Sequence, residues 1–316
     1  MEALAPLRAH PLAGMMLAMT AFAGVVAALP LASRAAALGP ESSRKLLHVA
    51  AGLLTLPFPL LFADPWPVYL LTAATALLIL ALETIPACRA RVGRLIAGVE
   101  RDTLGEFYFP LSVAIVFRLA HRKPEILFIV PMLVLTIADA AGALAGGRRG
   151  ARRYAGGRKS VEGSEAFAAA ALVCASVGLL VWTDGRILES VLAGATLALA
   201  LTLVEGCAPR GLDNLFIPLA GYFMLEAILP LGAGDLLPRF LVISGLLVLV
   251  AICRRPTAAG DEVLLASAFG CYVAWAVPGW NWVALGLMTF IGFQAVYPVV
   301  PRRTTRLAAP EAGERS

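Results

Sequence analysis

The chain has 316 residues, a mean hydropathy of +0.81 and only 15% charged residues, against about 25% in an ordinary soluble domain. Its apolar runs recur along its whole length, which excludes a soluble enzyme and, in lipid, any spanning structure other than helices that satisfy their own backbone. The net charge of +5 gives no basis for a nucleic-acid partner, and single cysteines at 88, 174, 207, 253 and 271, with no CxxC and no Cys/His pair at metal spacing, exclude a zinc site or disulfide framework.

The sequence predicts one all-α, polytopic membrane domain over residues 1–316. Helices are expected at about 12–32, 46–62, 66–83, 105–119, 125–146, 164–182, 187–205, 213–231, 236–253, 261–278 and 280–298, about eleven in all. The first run resembles a signal peptide in having Arg8 before it and AAA after it. Its apolar core exceeds the usual 7–15 residues, so a first membrane helix is the plainer reading. Pro57 and Pro59 are expected to kink or end the second helix early. Across these elements Arg8, Arg118, Arg122, Lys123, Arg186 and Arg239 fall in one set of alternate loops, and every other lysine and arginine falls in the other set. The positive-inside rule then puts the N-terminus outside and the C-terminus in the cytoplasm. A bacterial cytoplasmic membrane is the expected location.

Four polar clusters fall on the expected cytoplasmic side, each at a helix end. The first is Ser43-Arg44-Lys45-Leu-Leu-His48. Arg44 and His48 are spaced i, i+4 and share a face. They read either as a phosphate site with His48 as a base or as positive-inside residues with an interfacial histidine. The second is Glu100-Arg-Asp-Thr-Leu-Gly-Glu106. A solvated loop explains Glu100 and Asp102, and Glu106 is the inward-facing candidate. Glu83 and Glu226 are further intramembrane acids with no motif around them.

The third cluster, Asp139 to Glu165, is the most charged and glycine-rich. Asp139 lies about seven residues, or roughly 10 Å along a helix, before Gly146. An acid at such depth costs about 2.5–3.5 kcal/mol on insertion scales and is a functional candidate by default. Asp139, Gly142, Ala143 and Gly146 form a narrow small-residue face. It offers close approach to a nucleotide or a backbone, or serves as a helix-packing stripe with Asp139 bridged to an arginine. After it, Arg148, Arg149, Arg152, Arg153, Arg158 and Lys159 supply phosphate-binding cations, while topology and anionic lipid also account for a basic loop. Topology does not account for Lys159-Ser160-x-Glu162-Gly163-Ser164, which places a cation, a hydroxyl and an acid at a helix start. Glu162 reads as a metal or hydrogen-bond ligand or as a first-turn acid. No Walker A pattern is present.

The fourth cluster runs from Glu205 through Arg210 to Asp213-Asn214. Asp213 fits an N-cap. Together with Glu205, Asn214 and Asp139 it also offers oxygen donors of the kind Mg²⁺ takes beside nucleotide phosphates.

RKLLHVAAG (44–52), ERDTLGEFYFP (100–110), ADAAGALAGGRRG (138–150), RKSVEGS (158–164) and EGCAPRGLDNLFIPL (205–219) give the chain its resemblance to the CTP-dependent polyprenol kinases. That family includes phytol and dolichol kinases and is distantly similar to phosphatidate cytidylyltransferases. The resemblance covers about residues 44–220; residues 1–40 and 235–316 carry none. It departs from the pattern at Ala138, before Asp139, and at ARRYAGGRKS (151–160), which bears on the substrate subgroup. The resemblance implies phosphoryl transfer from CTP to the hydroxyl of a long isoprenoid alcohol. It implies Mg²⁺ held by Asp139, Glu205, Asp213 and Asn214. Phosphates would be bound by Arg44, Lys45, Arg148, Arg149, Lys159, Ser160, Gly163 and Arg210 and oriented by Glu162 and Glu205. The catalytic set would be Asp139, Asp213 and His48, with either an aspartate or His48 as base. The rivals are a cytidylyltransferase acting on phosphatidate, a diacylglycerol kinase, and a lipid transporter or flippase. A transporter predicts paired broken helices in two halves, and no internal repeat is seen.

Overall fold

The structure is a computed structural model that describes residues 10–85, 105–154, 159–183, 186–208, 211–253 and 260–276. Of Pro40, Leu82, Glu83 and Arg149 it describes the backbone alone. The predicted helix at 280–298 and the Glu100–Asp102 loop therefore lie outside the described residues, as do Arg158 and Arg210. The described chain is all-helical. In order it contains α1 (Pro11–Ala35), α2 (Pro40–Thr55), the single turn α3 (Phe58–Leu61), α4 (Trp66–Thr84), α5 (Gly105–Ala120), α6 (Ile126–Arg149), α7 (Val161–Trp182), α8 (Ile187–Cys207), α9 (Asp213–Ile228), α10 (Ala233–Cys253) and α11 (Asp261–Ala276).

Of these, α1, α6, α7, α8 and α10 are long and apolar enough to cross a membrane. The expected end of the second helix is found: α2 stops at Thr55, and Pro57 and Pro59 open the separate turn α3. Prolines also stand in the first turns of α1, α2 and α4, where a missing N–H costs nothing.

Helices α6 and α8 form the core of the bundle, whereas α1 and α10 are largely exposed on its outside. The exposed residues there are Leu12, Met16, Leu241 and Leu249, the side chains lipid would cover. Two close approaches fix the helices that matter for the polar end. Lys45, His48 and Gly52 lie on one face of α2. A Cβ at Gly52 would stand 2.2 Å from Thr136 Oγ1, so α2 is pressed onto α6. The face Gly142 and Gly146 of α6 meets the start of α7: a Cβ at Gly163 would stand 2.9 Å from the Gly142 carbonyl oxygen. The small-residue face is thus filled by α7 and acts as a packing stripe. Its cost is low, because the backbones themselves make the contact.

Candidate functional site

Two lysine-centred clusters stand at the end of the bundle where α2, α7 and α9 begin and α6 and α8 finish. In the deeper one Lys45 of α2 donates to Asp139 of α6, Nζ to Oδ2 2.6 Å, with side-chain exposures of 8% and 9%. The partner of Asp139 is thus a lysine, where the packing-stripe reading expected an arginine. His48, one turn further along α2, sets Nε2 3.6 Å from the same Oδ2 and 3.4 Å from the Leu135 carbonyl oxygen. Both neighbours are acceptors. This assigns the imidazole proton to Nε2 and leaves the lone pair on Nδ1. Phe109 of α5 packs edge-on against the ring, centroids 5.1 Å apart.

The face shared with His48 is that of Lys45. Arg44 turns outward and bridges Glu41 at 2.7 Å, three residues back on its own helix. The i, i+4 pairing of Arg44 with His48 does not form, because an adjacent carboxylate on the exposed side is the nearer partner.

The shallower cluster is built on Lys159, which precedes α7. Its Nζ lies 2.8 Å from Glu205 Oε1 and 3.0 Å from Asp213 Oδ2, and it also donates to the Glu205 carbonyl oxygen. Ser164 Oγ donates to Glu205 Oε2 at 2.9 Å. Burial pushes the Lys159 ammonium toward losing its proton. The charges of Glu205 and Asp213 and their hydrogen bonds outweigh that, and its pKa stands above that of an ordinary lysine. The two clusters are joined through the close packing of α6 on the start of α7, where Gly146 meets Ser160.

Local structure explains how Lys159 is held. Ser160 N-caps α7, its Oγ accepting from Gly163 N at 3.1 Å. The same hydroxyl fills the space over Gly146 and Gly150. Ser160 and Gly163, expected as phosphate ligands, therefore have architectural tasks here. Tyr154 N donates to the Lys159 carbonyl oxygen at 3.0 Å, and Val161 N to that of Arg152 at 2.8 Å. Glu162 accepts from Arg152 Nε at 2.9 Å on the exposed side, and Arg152 also bridges Glu165 at 3.1 Å. Part of the loop's positive charge is thus neutralised within the loop. Arg148 is exposed at the end of α6.

Gly211, with φ of 85°, makes the left-handed turn that glycine adopts most readily, and α9 starts two residues later with Asp213. Asn214 Nδ2 donates to the Gly105 carbonyl oxygen at 2.9 Å, joining α9 to α5. Its Oδ1 is buried with no hydrogen-bond partner among the described residues.

The four expected Mg²⁺ ligands are divided rather than gathered. Asp139 is held by Lys45, while Glu205 and Asp213 share Lys159. Among the described residues no group of three or more His, Cys, Asp and Glu side chains lies together as a metal set. The donor chemistry at the shallow cluster still suits the ion: two carboxylates that already share one cation, with Asn214, whose Oδ1 is unpartnered among the described residues, next to Asp213 in the chain.

Sequence reasoning missed Ser164 as the second partner of Glu205, although it closes the RKSVEGS segment. It also left Glu226 unassigned. Glu226 lies at the opposite end of the bundle, where it and Tyr222 accept from Lys123.

The fold and site define an integral membrane protein of helical type with two clusters of lysines and carboxylates at one end. No family model matches the chain, and no solved structure matches it. It is similar to a phytol kinase from Synechocystis sp., 28% identical over 209 residues, a match covering 64% of this chain and 86% of that protein. This similarity supports a phytol kinase-like family for the chain, in agreement with its motifs.

Proposed function

We propose that the chain is a membrane-embedded kinase that transfers the γ-phosphoryl group of CTP to the hydroxyl of an isoprenoid alcohol such as phytol, geranylgeraniol or a polyprenol. The observation that carries this reading is the presence of two clusters, Lys45–Asp139–His48 and Lys159–Glu205–Asp213, at the same end of the bundle. Similarity to a phytol kinase supports it. On the charge distribution this end faces the cytoplasm, where a water-soluble triphosphate arrives, and an alcohol in the bilayer presents its hydroxyl at the same depth.

The roles follow from charge and burial. Phosphoryl transfer demands alignment and charge neutralisation more than covalent help from the protein. Lys159, with Arg148 and Arg149 at the end of α6, binds the phosphates. Glu205, Asp213 and Asn214 would hold Mg²⁺, and Asp139 serves the acceptor side. The ion, when bound, neutralises phosphate charge. Lys45 holds Asp139 in place through their 2.6 Å contact. Asp139 and the Leu135 carbonyl oxygen hold His48 with its proton on Nε2, so Nδ1 takes the proton of the alcohol. The alcohol oxygen bonds to the γ-phosphorus, the bond to the bridging oxygen breaks, and CDP leaves.

Purified protein given CTP labelled either at the γ-phosphate or in the cytidine ring, with a panel of phytol, geranylgeraniol, polyprenol, diacylglycerol and phosphatidate, tests the reading. The expected result is γ-label in an isoprenoid alcohol phosphate. Ring label in a CDP-lipid would make it a cytidylyltransferase, and no labelled lipid from any acceptor would sink the enzyme reading.

A further inference from the structure

Residues beyond 235 carry none of the motifs, yet α11 packs against the last turn of α8, where Glu205 sits. A Cβ at Gly206 would stand 2.6 Å from Leu265 Cδ1, with Leu265 Cγ at 3.7 Å. Leu265 is 4% exposed, and its neighbours Leu264 and Ala268 are buried with it. Leu265 therefore occupies the space over Gly206, and a larger residue there would make its buried side chain shift. The residue before Gly206 is Glu205, whose two carboxylate oxygens each meet one protein partner, Lys159 and Ser164, and keep further lone pairs free. The last turn of α8 is thus clamped between the Lys159 cluster on one side and α11 on the other.

We propose that Leu265 is a positioning residue for the nucleotide site. Seated over Gly206, it fixes the last turn of α8 and so the placement of Glu205 against Lys159. This rests on the reading of the Lys159 cluster as the nucleotide-binding side. It makes α11 part of the binding machinery, although α11 lies outside the motif-bearing segment.

The test uses the full-length protein in detergent, equilibrium binding of labelled CTP with Mg²⁺, and steady-state kinetics. Gly206→Ala forces its methyl against Leu265. It is expected to weaken CTP binding and raise the KM for CTP about tenfold, a coupling typical of residues in contact, while kcat and the KM for the alcohol change less than about twofold. Leu265→Ala, which empties the space over Gly206, is expected to raise the KM for CTP likewise, and Leu265→Met, which refills it, to leave CTP binding within about threefold of the parent. A general packing defect would move kcat and the KM for the alcohol as well. Unchanged CTP binding in Gly206→Ala or in Leu265→Ala, or a fall in kcat to match the loss of CTP binding, overturns the proposal. Lys159→Met is run beside them. If it loses CTP binding while Gly206→Ala does not, the positioning role alone fails; if it too binds normally, the nucleotide assignment fails.

Discussion

The two lysine clusters differ in stoichiometry and in burial. Lys45 and Asp139 are paired one to one, are both about nine-tenths buried and are 94 residues apart in the chain. Lys159 serves two carboxylates, is 24% exposed and sits on a loop. The deep cluster is therefore balanced, while the shallow one keeps an acid in excess and its lysine is the more exposed of the two. A balanced pair has no call for an outside cation and instead fixes a carboxylate and the histidine beside it. An acid-rich cluster attracts a cation and whatever that cation carries. On the proposed function, this difference gives the acceptor hydroxyl to the first and the metal–nucleotide to the second.

Breaking the deep pair has the largest expected effect. Asp139→Asn strands a buried ammonium, and loss of one partner of a buried pair costs about 3–5 kcal/mol. Turnover should fall by a factor of about 10³ or more, with a lowered midpoint of thermal unfolding in detergent. Combining it with Lys45→Met should recover most of the midpoint, since apolar replacement of both partners is often neutral, without recovering turnover. Recovery of both would reduce the pair to a structural role.

His48→Gln comes next. It keeps a side-chain donor toward Leu135 but supplies no basic nitrogen, and kcat is expected to fall about 10²–10⁴-fold, the usual contribution of a general base. The KM for CTP should hold. A fall in CTP affinity with kcat intact would place His48 on the nucleotide side and erase the distinction between the clusters.

Lys159→Met should raise the KM for CTP about 10–100-fold, in line with loss of a charge-assisted hydrogen bond worth about 1.5–3 kcal/mol. The pH response sharpens this assignment. Because the pKa of Lys159 is raised, its pairing is fully present below the ordinary lysine value of about 10.4 and weakens only as pH rises through the still higher folded value. CTP binding measured from pH 7 to 9 should show no loss traceable to Lys159. The smallest effect belongs to the exposed loop: Arg152→Ala removes its bridges to Glu162 and Glu165, and turnover should change less than about twofold, as for surface ion pairs generally.

The residues of both clusters were legible in the sequence because acids and cations are rare in apolar helices, so Asp139, Lys45, His48, Lys159, Glu205 and Asp213 stood out singly. Their pairing was not legible. Helical spacing grouped Arg44 with His48, but spacing gives a face and not the neighbour across it, and Glu41 captured Arg44. The stripe Gly142–Gly146 was visible as a place for close approach. Only the packed structure showed that the backbone of α7 fills it. The contact of Leu265 with Gly206 links residues 59 positions apart and has no local signature at all.

The division of labour is tested most directly by equilibrium binding of labelled CTP with Mg²⁺ to purified Asp139→Asn. The expected result is affinity within about threefold of the parent, from a protein that transfers no phosphate, since a residue that meets only the acceptor leaves ground-state nucleotide binding intact. Loss of CTP binding to the level of Lys159→Met, or phosphoryl transfer at the parent's rate, would contradict it.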